Sequence, residues 1–112
     1  MSVGAERLIG LARALVSDDP ATRGDGCGTV TDWISSFSAY EAKLVAMLLA
    51  TLAAIETDPS GRESELHALN ELADTGALNS DVIEPVRLLD KSMLGVSEME
   101  YVNYLEEYLG DA

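Results

Sequence analysis

Apolar positions recur at three-and-four spacing in six separate runs along this chain, the pattern of helices that each bury one face. The first run predicts a helix over Ala5–Val16, with Leu8, Leu11, Ala12, Leu15 and Val16 in one stripe and Arg7 and Arg13 outside it. Ser17-Asp18-Asp19-Pro20 ends it. Asp19 is placed to cap the next helix, whose first turn suits Pro20. That second helix, over Ala21–Ser36, draws a line through Cys27, Val30, Ile34 and Phe37, joined by Trp33. Gly24, Gly26 and Gly28 weaken it, each by about 1 kcal/mol against alanine. Close approach of another backbone would explain them, as would irregular first turns. The third helix opens at Ser38 with Glu41 three residues on, the capping-box spacing. Leu44, Val45, Met47, Leu48, Leu49, Leu52 and Ile55 make it apolar on most sides, which predicts a helix buried on two flanks at the centre of the molecule.

A fourth helix over Ser60–Thr75 sets Leu66, Leu69 and Ala73 on one face, and Glu63, His67, Glu71 and Asp74 on another, with Gly76 closing it. The fifth, over Ser80–Ser92, carries Val82, Ile83, Val86 and Leu89, with Pro85 tolerated near its first turn. The sixth, over Ser97–Leu109, carries Tyr101, Val102, Tyr104, Leu105, Tyr108 and Leu109. The connections are short, so successive helices must run antiparallel.

Two corners of the chain match. Asp19-Pro20-Ala21-Thr22-Arg23 and Asp58-Pro59-Ser60-Gly61-Arg62 share Asp-Pro-x-x-Arg, 39 residues apart. The apolar positions that follow also correspond: Cys27 with Leu66, Val30 with Leu69, Trp33 with Leu72, Ile34 with Ala73. Helix pairs repeated at a fixed period indicate a solenoid, each pair burying its face on the next. With these corners the chain resembles HEAT-like repeat proteins. The resemblance implies an all-α fold, a short right-handed α-solenoid of about three antiparallel helix pairs in a single domain over residues 1–112. It further implies that Asp19 and Asp58 cap second helices and that Arg23 and Arg62 bridge to adjacent corners. The third corner, near Gly95-Val96-Ser97-Glu98, lacks both Asp-Pro and Arg, as a degenerate terminal repeat would. The competing architecture is a six-helix bundle that turns twice on Asp-Pro.

Charge narrows the function. Seven Lys and Arg stand against twenty Asp and Glu, a formal net charge of −13. Such a chain is repelled by nucleic acid and by anionic membranes, and is complementary to a basic protein surface; the plainer alternative is that the acidity only keeps a small soluble domain from associating. An apolar share of 47% excludes a disordered acidic tail. The single cysteine, Cys27, permits no internal disulfide and suits a reducing cytoplasm. No basic-then-apolar leader stands at the N-terminus, and the run Leu44–Ile55 is short for a membrane span.

No motif carries chemistry. His67 has Glu63 and Glu71 four residues to either side, but a metal site normally adds Cys or further His to reach three or four ligands, and none are at hand; a surface histidine flanked by carboxylates is the expectation. Cys27 has no activating partner in the sequence. Asp18, Asp19 and Asp25 do not match a calcium loop. Gly24-Asp25-Gly26-Cys27-Gly28 lacks the lysine of a phosphate loop. Neither a cofactor, a metal nor a catalytic residue is therefore expected.

What is left is a surface. Second helices of HEAT-like repeats line the concave side, and their outward positions here are Asp25, Thr29 and Asp32, then Glu63, His67, Asn70, Glu71 and Asp74, then Glu106 and Glu107. Tyr104 and Tyr108, spaced along the last helix among these acids, either widen the core or anchor a partner. The sequence is also similar in general character to bacterial polymorphic-toxin immunity proteins. The expectation is an acidic trough that occludes the active site of a basic cognate toxin. The alternative is a structural adaptor or homo-oligomeric scaffold joined through Tyr104 and Tyr108.

Overall fold

The computed structural model describes residues 1–110, and among them every regular element is helical. The α-helices are α1 (Ala5–Leu15), α2 (Pro20–Asp32), α3 (Ala39–Ile55), α4 (Pro59–Asp74) and α5 (Val96–Leu109). Two 3₁₀ segments, Ser80–Leu88 and Lys91–Met93, stand between α4 and α5.

The starts of the helices follow from local side-chain chemistry. Asp19 accepts from the Thr22 N–H and Asp58 from the Gly61 N–H, and their backbones are nearly superposable (φ −85°, ψ 117° and φ −87°, ψ 117°). Each cap meets one of the N–H groups that a helix start leaves unpaired, and a proline follows where no donor is needed. Ser38 and Glu41 form the reciprocal capping box of α3. The Glu41 carboxylate also accepts from the Val3 and Gly4 N–H groups at 3.0 and 3.1 Å, tying the start of the chain to α3. Glu98 turns back in the same way to the Gly95 N–H at 3.1 Å and opens α5.

Two layers result. α1, α3 and the Ser80–Leu88 segment form one; α2, α4 and α5 form the other. Each helix packs on its successor across the layers, α1 on α2, α3 on α4 and the 3₁₀ segment on α5, and α4 lies between α2 and α5 within its own layer. One continuous core joins them, built from Leu15, Val30, Leu49, Leu66, Leu69, Leu72, Ile83, Val86, Val102 and Leu105 among others. The molecule measures 38 × 31 × 17 Å.

The matched arginines do equivalent work. Arg23 meets Glu56 through two parallel bonds of 2.9 and 2.8 Å and donates to the Ser17 carbonyl at 2.9 Å. Arg62 pairs with Glu98 and donates to the Glu56 and Met93 carbonyls, each at 3.2 Å. Each guanidinium thus holds the carbonyl six residues before it and a carboxylate from the following corner. Glu56 serves both, its carboxylate for Arg23 and its carbonyl for Arg62. The planar fork of arginine suits this double duty, which a lysine could not perform.

Several expectations require correction. The fifth helix is a 3₁₀ segment ending at Leu88 and continued only by the turn Lys91–Met93, with Pro85 in its interior. Pro85 has no N–H and crowds the carbonyl four residues back, so it disfavours an α-helix here. The second helix stops at Asp32, and Trp33–Ser36 form turns. Helix α3 is flanked by α4 and the Ser80–Leu88 segment, the two flanks expected, but its apolar run is not all buried: Met47 and Ile55 are 50% and 69% exposed on the side that α1 barely touches. Val16, placed in the buried stripe of α1, is exposed for the same reason. Of the three glycines in α2, only Gly26 answers to close packing. A Cβ there would stand 3.1 Å from Leu15 Cδ2 and 3.3 Å from the Leu15 nitrogen, whereas Gly24 and Gly28 face open space.

Candidate partner-binding face

Helices α2, α4 and α5 present one side of the molecule. Their apolar positions face the other layer, so their charged positions face out, the buried Arg62, Glu65 and Glu98 excepted. α2 and α4 contain one arginine each, α5 contains neither Lys nor Arg, and both arginines are consumed by the corner ion pairs with Glu56 and Glu98. Asp25, Asp32, Glu63, His67, Asp74 and Glu107 are exposed on these helices, and Glu71 is half-buried. The face is therefore lined with carboxylates that no neighbouring cation neutralises, apart from Glu106, which Lys91 holds at 2.7 Å.

Two depressions open on it and share Ser64 and His67. Between α4 and α5 lies a cleft of about 370 Å³ lined by Ser60, Glu63, Ser64, His67 and Tyr101. Between α2 and α4 lies a smaller groove of about 170 Å³ lined by Gly24, Cys27, Gly28, Thr31, Ser64 and His67. The glycines that weaken α2 are what keep this groove open, since neither raises a side chain into it. His67 is held on both sides. Its ring meets Tyr101 edge-on at 5.6 Å, and Nε2 lies 3.8 Å from a Glu71 oxygen one turn along.

The structure sorts the sequence-derived residues. It brings Glu63 and His67 together at the larger cleft, with Glu71 beside His67, whereas Asp25 and Asp32 stand exposed on α2 and line neither depression. Asn70 is a brace: its amide donates to the Leu66 carbonyl at 3.0 Å and the Tyr101 carbonyl at 3.4 Å, joining α4 to α5. Tyr104 donates to Asp74, and that bond raises its hydroxyl pKa, so the pair presents itself as a unit at the edge of the face. Tyr108 turns inward, donating to the Leu78 carbonyl, and is half-buried. It is core, not anchor. Glu106 turns toward the 3₁₀ turn and leaves the face with Lys91. The cleft residues that sequence reasoning passed over are Ser60, Ser64 and Tyr101, and the groove residues are Gly24, Gly28 and Thr31. The Gly24/Gly28 spacing, one helical turn, was the available signal for the groove.

Cys27 and His67 line the same groove although they belong to different corners. The thiol is poorly suited to nucleophilic work: burial, reinforced by nearby carboxylates, pushes its pKa up to about 12, so it keeps its proton at neutral pH. Among the described residues, no group of three or more His, Cys, Asp and Glu is arranged to hold a metal ion, and no helix is long and apolar enough to cross a membrane.

Beneath the face lies a second acidic feature. Glu65 on α4 is 1% exposed, and no donor reaches either of its oxygens. Burial first, then the hydrogen bond with Glu56 and its negative charge, raise the Glu65 pKa from 4.5 to about 9. Glu65 is accordingly a neutral acid at pH 7, its proton directed to Glu56. Glu56 is moved the other way, held below its ordinary value by Arg23 and by hydrogen bonds from Glu65 and the Asp58 N–H against the effect of its own burial. No protein-family model, curated protein or solved structure matches this chain.

Proposed function

We propose that this chain is a binding module that grips a basic protein through the face of α2, α4 and α5. The observation that carries the reading is the fate of the cations: the only two on these helices are locked into corner ion pairs, which leaves an unneutralised acidic face. Helices that brace each other hold the face in a fixed shape. The partner then meets a preorganised surface and little ordering entropy is lost on docking. A lysine or arginine of the partner would enter the cleft of Ser60, Glu63, Ser64 and His67, with Asp25, Asp32, Glu71, Asp74 and Glu107 supplying the surrounding field. Tyr101 and Tyr104 would supply contact area.

In its most specific form the proposal is an immunity protein that occludes the active site of a basic cognate toxin. The chain binds and does not catalyse, and acts in the cytoplasm where such a toxin would act. The α2/α4/α5 layer corresponds to the second helices of a short right-handed HEAT-like solenoid, a reading supported by the two matching corners and by the layer order. Electrostatic steering would then give association rates up to about 10⁸–10⁹ M⁻¹s⁻¹ at low salt.

The test takes the protein that co-purifies with this chain from its source cells, and the product of the adjacent reading frame expressed as a toxin. Affinity is measured by calorimetry from about 0.05 M to about 0.5 M salt, alongside the triple charge reversal Glu63→Lys, Glu71→Lys, Asp74→Lys. Binding should weaken steeply with salt, the triple variant should lose it, and relief of toxin-induced growth arrest should be lost with it. Affinity that ignores both salt and charge reversal refutes the face. A neighbouring product whose toxicity the chain leaves unchanged refutes the immunity role alone.

A further inference from the structure

The opposite side of the molecule has a different character. Helix α3 exposes a stripe of Tyr40, Leu44, Met47, Thr51 and Ile55, and the Thr51 hydroxyl is already spent on the Met47 carbonyl at 2.8 Å. Beside it, α1 adds exposed Ile9 and Val16, and between the two helices runs an apolar groove of about 280 Å³ lined by Leu8, Ile9, Ala12, Leu44 and Leu48 among others. Charge is nearly absent from α3. Its only ionisable side chains besides Tyr40 are Glu41, buried in its capping box, and Lys43. This is the reverse of the acidic face.

We propose that this surface is a two-fold interface with a second copy of the chain, the α3 helices lying antiparallel. An antiparallel two-fold register pairs this stripe with apolar positions along its length. With the axis between Met47 and Leu48, Tyr40 lies opposite the Ile55 of the second copy, Leu44 opposite Thr51, and Met47 opposite Leu48. Every pair is apolar or a methyl-bearing threonine. Lys43 falls opposite Leu52, so the register brings no like charges together. An isologous contact requires this self-complementarity. The exposed parts of Ile9, Val16, Tyr40, Leu44, Met47 and Ile55, with the groove walls beside them, approach the roughly 800 Å² that each side of a stable complex buries. Methionine at the axis is flexible enough to enter the groove of the other copy. The pairing also sets the two acidic faces on the outside, as far apart as the assembly permits, where each remains free to bind.

Sedimentation equilibrium of the full chain at about 100 µM, a concentration at which micromolar contacts are populated, should give twice the monomer mass. Added salt should favour the dimer by screening the mutual repulsion of two acidic chains, the opposite of its effect on the basic partner. Met47→Glu places a charge at the axis of the buried strip and should raise the dissociation constant at least 30-fold, about the hot-spot threshold. Its far-UV circular dichroism should match that of the parent. An equimolar mixture of Tyr40→Cys and Ile55→Cys should cross-link on oxidation into a mixed dimer more readily than either variant with itself, which tests the register without a folding risk. A monomer at this concentration overturns the proposal. A dimer that tolerates Met47→Glu, or a mixture that cross-links no better than its components, places the contact elsewhere and overturns it equally.

Discussion

Replacing Glu65 by glutamine tests the electrostatic account of the core most directly. Glu65 is 1% exposed with neither oxygen met by a donor, so its charged form is strongly disfavoured in the folded state. Its pKa rises from 4.5 to about 9 on folding. A raised carboxyl binds its proton more tightly in the native state than in the unfolded chain. Its contribution is therefore fully present below pH 4.5 and is lost as pH climbs toward 9, because there the unfolded chain releases a proton that the native state must keep. Each pH unit in that window removes about 1.4 kcal/mol. From pH 5 to pH 7 the loss is about 2–3 kcal/mol, a large part of the stability of so small a protein. Glutamine keeps the shape, donates to Glu56 through its amide, and titrates nowhere. Urea unfolding of both proteins at about pH 5, 7 and 8.5 should give curves that nearly coincide at the lowest value and separate steadily, the Glu65→Gln protein being the more stable by about 2 kcal/mol at pH 7. Parallel pH profiles would show that Glu65 ionises freely in the folded state, and the reasoning would fail.

The acid limb belongs to other groups. Asp19, Glu41 and Asp90 have lowered pKa values, chiefly through hydrogen bonds to neighbouring donors, and Glu56 is lowered by Arg23, so their contributions vanish as pH falls below about 4; the Glu65→Gln protein should retain this limb unchanged in an acid titration followed by circular dichroism. Arg62→Met should cost about 3 kcal/mol because it strands the buried Glu98 carboxylate, and adding Glu98→Met should recover much of the loss; equal stability of single and double variants by urea unfolding would deny the coupling. Gly28→Ala should stabilise α2 by about 0.5–1 kcal/mol while Gly26→Ala destabilises it, since only the latter's Cβ meets Leu15. Gly28→Ala should at the same time weaken partner binding by filling the groove it lines, so a variant with higher melting temperature and unchanged affinity would count against that groove.

The elements legible in the sequence were those fixed by local chemistry. Asp-Pro corners and the Ser38–Glu41 box act over three or four residues, and the helix starts they imply stand where the sequence placed them. Arg23 and Arg62 reach the following corner as the HEAT-like resemblance implied, although their carboxylate partners, 33 and 36 residues away, carried no signal of their own. The two flanks of α3 were legible, but an apolar circumference does not say which of its residues meet a neighbour, and Met47 and Ile55 stay exposed. The 3₁₀ segment was missed for a more instructive reason. Ile83, Val86 and Leu89 recur at strict intervals of three, which suits an α-stripe for one turn and a 3₁₀ row throughout, and Pro85 should have decided between them. On the candidate face, periodicity identified which positions point outward, but nothing in the pattern reveals that Tyr108 finds the Leu78 carbonyl or that Lys91 removes Glu106.

A helix with three residues per turn stacks every third side chain in a single file. Asp81, Glu84 and Arg87 form one such file toward water, with Glu84 and Arg87 joined at 2.9 Å, while Ile83 and Val86 form another in the core. At about 2.0 Å of rise per residue, the nine residues from Ser80 extend about 18 Å, where an α-helix of that length would reach about 13 Å. By winding more tightly the chain lays a longer rod along α3 from the same stretch of sequence, and thereby completes a layer that would otherwise stop short.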